Sequence, residues 1–338
     1  MVIEVRGLRK TYTTYERGSS FREVVASLFR RRPVRVEALR GIDLDIRAGE
    51  RVGFLGPNGA GKSTTLKILT GVLHPTGGEA RVLGFVPWRE RKRYVARIGA
   101  VFGQKSQLVW DIPPLDAFLM NQAIYGIPEA EFRRTLGRLT ELLGAERISR
   151  QPTRNLSLGE RMKCEFIMAM LHRPEVVFLD EPTIGLDVVA KEAIHGFVRE
   201  MNREGVTFLL TTHDLEDVER LAERVVVING GELVFDDRLE ALRRSLGARK
   251  RVRVSTDESL DGLALPGLTV VERHGPGDVE YELDLETLEL DRFIAAVSRG
   301  RRIRDMAIEE IAIERVVKEL YARRPGAAPS AAAAAAEG

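Results

Sequence analysis

Gly56-Pro57-Asn58-Gly59-Ala60-Gly61-Lys62-Ser63-Thr64 is the stretch that decides the fold, because it fits the pattern Gly-x4-Gly-Lys-Ser of a phosphate-binding loop. An apolar run at residues 52–55 precedes it, and a segment with helical periodicity at residues 65–73 follows it. Glycines let backbone N–H groups turn toward an anion, and the N-terminus of a helix adds partial positive charge. The stretch therefore predicts an α/β sheet domain that binds a nucleoside triphosphate.

Most residues of this loop are expected to surround the phosphates. The predicted nucleotide-binding set within it is Gly56, Asn58, Gly59, Ala60, Gly61, Lys62, Ser63 and Thr64. The ammonium group of Lys62 can reach the β and γ phosphates, and the hydroxyl group of Ser63 can ligate Mg²⁺. ATP and Mg²⁺ are therefore the expected cofactors.

A second apolar run, at residues 176–179, ends in the two carboxylates Asp180 and Glu181. Parallel α/β sheets bind their ligands at the carboxyl ends of the strands, which is where these side chains would lie. We expect Asp180 to hold Mg²⁺ through its water shell. Glu181, one residue further on, would polarise the water that attacks the γ-phosphate.

Leu156-Ser157-Leu158-Gly159-Glu160 lies between the phosphate loop and the acidic pair. It is similar to the Leu-Ser-Gly-Gly-Gln signature of ATP-binding cassette (ABC) transporter subunits, and the chain resembles that family over about residues 1–235. The signature matches at Leu156, Ser157 and Gly159 and departs at Leu158 and Glu160. The resemblance implies a P-loop NTPase fold of the ABC type and a homodimer, in which Ser157 and Gly159 contact the γ-phosphate held by the opposite copy.

The same resemblance suggests two further catalytic residues. Gln104 resembles the glutamine of the family's Q-loop, which joins the Mg²⁺ and water site to a helical insertion, and Gln107 is the competing candidate. His213 follows a strand and resembles the family's switch histidine, which would donate a hydrogen bond to the γ-phosphate.

Two further nucleotide contacts are implied. Asp187 ends the segment Gly185-Leu186-Asp187, which is similar to the family's D-loop. Tyr12 lies where the family stacks an aromatic ring on adenine, although Tyr15, or packing of Tyr12 alone, is an alternative.

The rest of the chain predicts two domains and a tail. Residues 1–240 would form the nucleotide-binding domain, with a helical subdomain at about 105–172. Residues 13–36 contain the spacing of an amphipathic helix with a basic end. Residues 241–324 show the strand and helix order of a small ferredoxin-like α+β module, and 325–338 form an Ala-rich tail expected to be disordered.

The composition of the chain limits the kinds of partner that are expected. The 52 Lys and Arg residues nearly balance the 50 Asp and Glu residues, so no nucleic-acid partner is expected. The lone cysteine, Cys164, cannot form an internal disulfide, and no run approaches the ~20 apolar residues of a membrane span. The expected location is cytoplasmic, at the inner face of the cell membrane, because any membrane role would depend on other polypeptides.

The predicted function is ATP hydrolysis that powers transport through separate transmembrane permease subunits. A single cassette followed by a small module resembles the ABC-2 type exporter ATPases, and an importer ATPase is an alternative. A soluble ABC ATPase of DNA repair, translation or metal-cluster assembly is a third possibility. Three absences count against it: a long heptad repeat, a second cassette and a Cys/His cluster.

Overall fold

The computed structural model describes residues 1–15, 33–103, 106–212, 214–244, 249–310 and 321 of the 338-residue chain. It separates into two compact units, Met1–Asp236 and Asp237–Ala322, whereas the sequence places the boundary after residue 240. The amphipathic helix expected within residues 13–36 falls mainly on residues 16–32, which are outside the described part, as is the tail at 325–338. The flanks of that segment, residues 13–15 and 33–36, are β-strand rather than helix.

The first unit contains two sheets. Its strands are β1 (Ile3–Tyr15), β2 (Pro33–Ile46), β3 (Arg51–Leu55), β4 (Gly77–Val82), β5 (Ile98–Phe102), β6 (Val176–Asp180), β7 (Thr207–Thr211), β8 (Arg224–Asn229) and β9 (Glu232–Arg238). Six of them form a sheet in the order β5-β6-β7-β3-β8-β9, whose first five strands are parallel. The predicted α/β sheet is confirmed.

These parallel strands form because each is a short, unbroken apolar run. In β6 the four side chains from Val176 to Leu179 are all fully buried, as expected for a strand covered on both faces. Register places Asp180 beside Phe102 of β5 on one side and Thr211 of β7 on the other. The carboxyl ends of the central strands therefore meet at one edge, where the phosphate loop also begins.

Seven α-helices are described in the first unit, and they cover and extend this sheet. They are α1 (Lys62–Leu69), α2 (Arg91–Val95), α3 (Pro114–Tyr125), α4 (Glu129–Leu143), α5 (Leu158–Met170), α6 (Val188–Arg203) and α7 (Leu215–Leu221). Helices α3 to α5 lie within residues 105–172, the range predicted for the helical subdomain. Helix α3 begins after Pro113 and ends at Gly126, whose φ of 63° is the left-handed conformation that ends many helices. Among the described residues, no helix has the length and apolar character needed to span a bilayer.

The second sheet is antiparallel, in the order β2-β1-β4, and the sequence reasoning did not anticipate it. Ile3 pairs with Ile46 and Val5 with Leu44, and all four side chains are buried in one core with Phe54 of β3. The alternation of apolar and polar residues in β1 and β2 is the period that a half-buried antiparallel strand requires. This sheet carries Tyr12.

The second unit is built on an antiparallel sheet of four strands. They are β10 (Arg249–Thr256), β11 (Leu268–Gly275), β12 (Asp278–Asp284) and β13 (Ile303–Glu310), in the order β11-β12-β10-β13. Two helices are described, α8 (Leu239–Arg244) before the sheet and α9 (Leu290–Ser298) between β12 and β13. This order is that of a ferredoxin-like sheet, as predicted. The sequence of the module also predicts a last helix at residues 313–321, of which the structure describes only Tyr321.

The sequence of residues 260–265 fits either a short apolar turn or a helix as the first crossover of this module, and the structure shows a turn. Gly262 and Gly267 both have φ of 80°, and Pro266 precedes the second, so the segment cannot continue as a helix. Leu260 in this turn is fully buried in a core that includes Tyr281 and Phe293.

Candidate functional site

The predicted phosphate loop connects the end of β3 to the start of α1. Two of its glycines leave no room for a side chain. A Cβ atom at Gly56 would lie 2.5 Å from the carbonyl oxygen of Ile228, and one at Gly61 would lie 2.7 Å from that of Ala38. Gly61 is also the N-cap of α1, so no side chain there accepts a hydrogen bond from the first helical N–H groups. Those groups can therefore bind an anion.

Lys62 folds back over the loop. Its Nζ atom donates hydrogen bonds to the carbonyl oxygens of Gly56 at 2.5 Å and Pro57 at 3.2 Å, and its side chain is buried. Burial lowers the pKa of Lys62, whereas the negative charges of Glu181 and Asp180 raise it. The loop thus holds its cation near the acidic end of β6.

Ser63 and Asp180, the two described residues predicted to serve Mg²⁺, are in direct contact. The Oγ atom of Ser63 donates to Oδ1 of Asp180 at 3.1 Å, and Oγ1 of Thr211 donates to the same oxygen at 2.5 Å. Mg²⁺ prefers oxygen ligands and takes only one or two from carboxylates, keeping several waters. This donor set fits Mg²⁺, and Thr211 is a supporting residue that the sequence reasoning missed.

Glu181 has an unusual backbone conformation. Its φ is 52°, in the left-handed region that a non-glycine residue enters at a cost of about 1–2 kcal/mol. Its N–H donates to the carbonyl oxygen of Thr211 at 2.9 Å. On the other side, a Cβ atom at Gly103 would lie only 2.1 Å from the carbonyl oxygen of Glu181. The ends of β5 and β7 therefore hold Glu181 in a strained position, which is a frequent property of residues at functional sites.

A cavity of 150 Å³ lies beside Glu181 and contains a lysine that sequence reasoning did not identify. Lys191 of α6 donates to Oδ2 of Asp214 at 2.5 Å. Partial burial raises the pKa of Asp214, but the hydrogen bond and charge of Lys191 outweigh it and hold that pKa below its usual value. Asp214 follows His213 directly, so this ion pair fixes the segment after the predicted switch histidine.

A buried polar network was also not predicted. The carboxylate of Asp217 on α7 accepts a hydrogen bond from Oγ1 of Thr183 and lies 2.9 Å from Nε2 of His195. All three side chains are buried. No sequence pattern marks the network, because its members come from three segments that are separate along the chain.

Ser157 begins helix α5 through a reciprocal pair of hydrogen bonds. Its Oγ atom accepts from the N–H of Glu160 at 3.3 Å, and Oε2 of Glu160 accepts from the N–H of Ser157 at 2.9 Å. Such a capping box accepts Glu or Gln at its third helical position. The departure of Glu160 from the family signature therefore preserves the local structure of the loop.

Replacing Glu160 by Ala should lower the free energy of unfolding by about 0.3–1.5 kcal/mol, the usual contribution of one capping element. Replacing Glu160 by Gln should leave stability nearly unchanged, because an amide oxygen can accept the same hydrogen bond. Urea unfolding followed by circular dichroism measures both. Equal stability of the Ala variant and the parent would contradict this capping role.

The signature loop lies against the segment that contains Asp187. A Cβ atom at Gly159 would approach Cβ of Ala190 to 2.7 Å, so only glycine fits there. Asp187 caps helix α6, because its Oδ1 atom accepts from the N–H of Ala190 at 2.7 Å. Ala190 thus connects the two motifs. Contact of Gly159 or Asp187 with a nucleotide stays a prediction.

Gln104 and His213 lie outside the described residues, and their catalytic roles stay predictions. The competing residue Gln107 is described, and its Nε2 atom donates to the carbonyl oxygen of Ala100 in β5 at 2.8 Å. Its amide group is therefore engaged by the sheet backbone, which favours Gln104 for the catalytic role.

Tyr12 is close to the helix that follows the phosphate loop. Its hydroxyl oxygen lies 3.4 Å from Oγ1 of Thr64, and Nζ of Lys10 lies 5.2 Å from its ring centroid. This position suits the predicted adenine contact. The side chain of the alternative, Tyr15, is outside the described part of the structure.

Similarity to known proteins agrees with this geometry. A family model described as ABC transporter matches residues 39–184. The ABC transporter ATP-binding protein NatA of Bacillus subtilis (strain 168) is 31% identical over 210 residues, which are 62% of this chain and 85% of NatA. This chain belongs to the ABC transporter ATP-binding proteins. Like that family, this ABC protein is an ATPase, which confirms the predicted enzyme class.

Two other relatives are similar over longer parts of this ABC protein. The linearmycin resistance ATP-binding protein LnrL of Bacillus subtilis (strain 168) is 25% identical over 292 residues, 84% of this chain and 94% of LnrL. The Nod factor export ATP-binding protein I of Azorhizobium caulinodans is 32% identical over 243 residues, 71% of this chain and 76% of that protein.

Solved structures support the same fold. An ATP-binding subunit of an ABC transporter superposes on this ABC protein with a TM-score of 0.61 at 26% identity, over 73% of this chain and 94% of that one. A dimeric ATP-binding cassette in a post-hydrolysis state, bound to ADP and Pi, gives a TM-score of 0.59 at 25% identity, over 70% of this chain and 98% of that one.

Proposed function

We propose that this ABC protein powers export across a membrane through separate transmembrane permease subunits, at the inner face of the cell membrane. Its relatives include a protein named for linearmycin resistance, which is similar over 84% of this chain, and a protein named for Nod factor export. Those names describe the relatives. They favour export as the direction of transport for this chain.

The proposal of a permease partner rests on an apolar surface around one cleft of the first unit. The cleft has a volume of 230 Å³ and is lined by residues of β5, α3 and α5, including Gln107 and Tyr125. Val72, which lines the cleft, is 54% exposed, and Ile124, which precedes the lining residue Tyr125 on α3, is 72% exposed. Exposed apolar surface of this kind marks protein interaction sites. A segment of a permease that faces the cytoplasm is the occupant we propose.

A short stretch of the chain also connects the cleft to the nucleotide site. Strand β5 ends at Phe102, Gly103 contacts the acidic strand end, and Gln107 already lines the cleft. A partner in the cleft would therefore lie a few residues from Gln104. This arrangement would let the state of the nucleotide change the position of the permease.

We further propose that two copies of the chain enclose two ATP molecules. Lys62 and Ser63 of one copy would hold the phosphates, and Ser157 and Gly159 of the other would contact the same γ-phosphate. The dimeric relative bound to ADP and Pi supports this arrangement for the family. ATP would favour the closed pair because it contacts both copies, whereas ADP lacks the group that the signature loop binds.

Within each site, Glu181 would accept a proton from the attacking water, and His213 would donate a hydrogen bond to the γ-phosphate. Lys62 would balance the charge on the β and γ phosphates. Ser63, Asp180 and Gln104 are the residues that would hold Mg²⁺, which neutralises phosphate charge when bound. Loss of the γ-phosphate would then release the signature loop and open the clamp.

Purification of the full chain from native membranes tests this function. We expect a multi-span membrane protein to co-purify, and the Ile124→Asp variant to recover at least about tenfold less of it, the scale of losing a central apolar anchor. Val270→Asp is the matched control, because Val270 is an exposed apolar residue of the second unit. Co-purification of ribosomes or DNA instead of a membrane protein would contradict transport.

A further inference from the structure

A buried carboxylate, Glu165, connects residues 106–108 to helix α5, whose N-terminus Ser157 caps. Glu165 lies within α5, and its side chain is 4% exposed. Its Oε1 atom accepts three hydrogen bonds from that segment: from Oγ of Ser106 at 2.5 Å, from the N–H of Gln107 at 2.8 Å and from the N–H of Leu108 at 3.4 Å. One oxygen thus organises the whole turn at 106–108.

Burying this carboxylate costs free energy of folding, which a residue that served only to fill the core would avoid. The other carboxylate oxygen, Oε2, is buried and has no hydrogen-bond partner among the described residues. Burial raises the pKa of Glu165, opposed by the three hydrogen bonds and by the charge of Arg161 one turn earlier. An apolar side chain of similar size would avoid this desolvation. The carboxylate is therefore explained by what it holds rather than by packing.

The same loop is attached at its other end to the catalytic carboxylates. The N–H of Gly103 donates to the carbonyl oxygen of Asp180 at 2.8 Å, and Gly103 lies against the backbone of Glu181. Only residues 104 and 105 separate Gly103 from the turn that Glu165 holds. The described residues on either side of positions 104 and 105 are therefore held by two anchors, the acidic strand end and helix α5.

Helix α5 provides the remaining connection. It runs without interruption from Leu158 to Met170, and Ser157 caps its N-terminus. A shift or rotation of α5 at Glu165 would consequently move the signature loop as one body with it. Coupling between two sites requires such an element, whose position both sites can bias.

We propose that Glu165 is a positioning residue that couples the nucleotide state sensed around Gln104 to the position of Ser157. The proposal rests on the proposed function, in which Ser157 contacts the ATP held by a second copy. Through Glu165, ATP and Mg²⁺ bound at one phosphate loop would set the same chain's signature loop to receive the neighbour's ATP. The two nucleotide sites of the dimer would then close at the same time rather than one after the other.

Two variants of the full chain test the role. Glu165→Met keeps the size of the side chain and removes the acceptor, whereas Glu165→Gln keeps an acceptor oxygen. We expect the Met variant to bind a fluorescent ATP analogue within twofold of the parent and to lose at least about fivefold in turnover, the lower end of typical coupling factors. The Gln variant should retain most of the turnover. Normal turnover of the Met variant would overturn the proposal, as would a loss of ATP affinity as large as the loss of turnover.

Hydrogen exchange separates this proposal from the function on which it rests. In the parent, ATP should slow amide exchange both at 56–65 and at 157–161. In the Met variant, protection at 56–65 should persist and protection at 157–161 should be lost. Persistence of both in the Met variant would refute the role of Glu165 alone, whereas absence of protection at 157–161 in the parent would refute the two-copy clamp itself.

Discussion

Replacing Glu181 by Gln should leave ATP binding and ATP-dependent pairing of two chains intact and lower the rate of ATP hydrolysis by at least ~100-fold, the usual scale for removing a general base. The amide has the shape of the carboxylate but cannot accept a proton from the attacking water. Because the strained backbone of Glu181 is held by Thr211 and Gly103, the variant side chain should occupy the same position. Phosphate release at saturating ATP, together with size-exclusion chromatography with and without ATP, measures both effects.

Glu175→Gln is the matched control for this experiment. Glu175 precedes the opposite end of the same strand, β6, and forms an exposed ion pair with Arg97. Its replacement should change turnover by less than about twofold, since exposed ion pairs contribute little. Turnover of Glu181→Gln close to that of the parent would assign the water to another base.

The sheet and its phosphate loop could be predicted because both are local properties of the sequence. The strand Val176–Asp180 is a short apolar run of the kind that forms a buried strand. The loop requires glycines at the positions where a Cβ atom would lie within 3 Å of other backbone atoms. The pairing of β1 with β2 was not predicted, because it joins residues that are far apart in the sequence, such as Ile3 and Ile46. Alternation alone did not reveal which segment pairs with which.

The chemistry of the site was predictable in part for the same reason. Asp180 and Glu181 are identified by their position at a strand end, which the sequence contains. The contacts of Glu165 with Ser106, and of Asp217 with Thr183, connect segments 59 and 34 residues apart. Neither pair has a sequence pattern, because a buried polar contact depends on the packing of whole elements against one another.

The departures from the family signature illustrate how structure changes the interpretation of a motif. Glu160 keeps the capping box, so its difference from Gln is conservative for the helix start. Leu158 instead extends the loop toward Gly185, where a Cβ atom would meet the Leu158 side chain at 3.1 Å. Leu158 thus adds an apolar contact between the signature loop and the segment before Asp187.

Replacing Lys62 by Ala should instead weaken ATP binding itself, by about 10- to 150-fold, because hydrogen bonds to a charged group contribute about 1.5–3 kcal/mol. Lys62 is buried, and the carbonyl oxygens of Gly56 and Pro57 hold its ammonium group over the loop. Lys67→Ala, on the exposed side of the same helix, is the matched control and should bind ATP as the parent does. Titration with a fluorescent ATP analogue measures the affinities of the parent and of both variants.

An equal loss of affinity in both variants would reflect the net charge of the helix rather than a contact with phosphate. If only Lys62→Ala loses affinity while Glu181→Gln loses only turnover, binding and bond cleavage are assigned to different residues of one site.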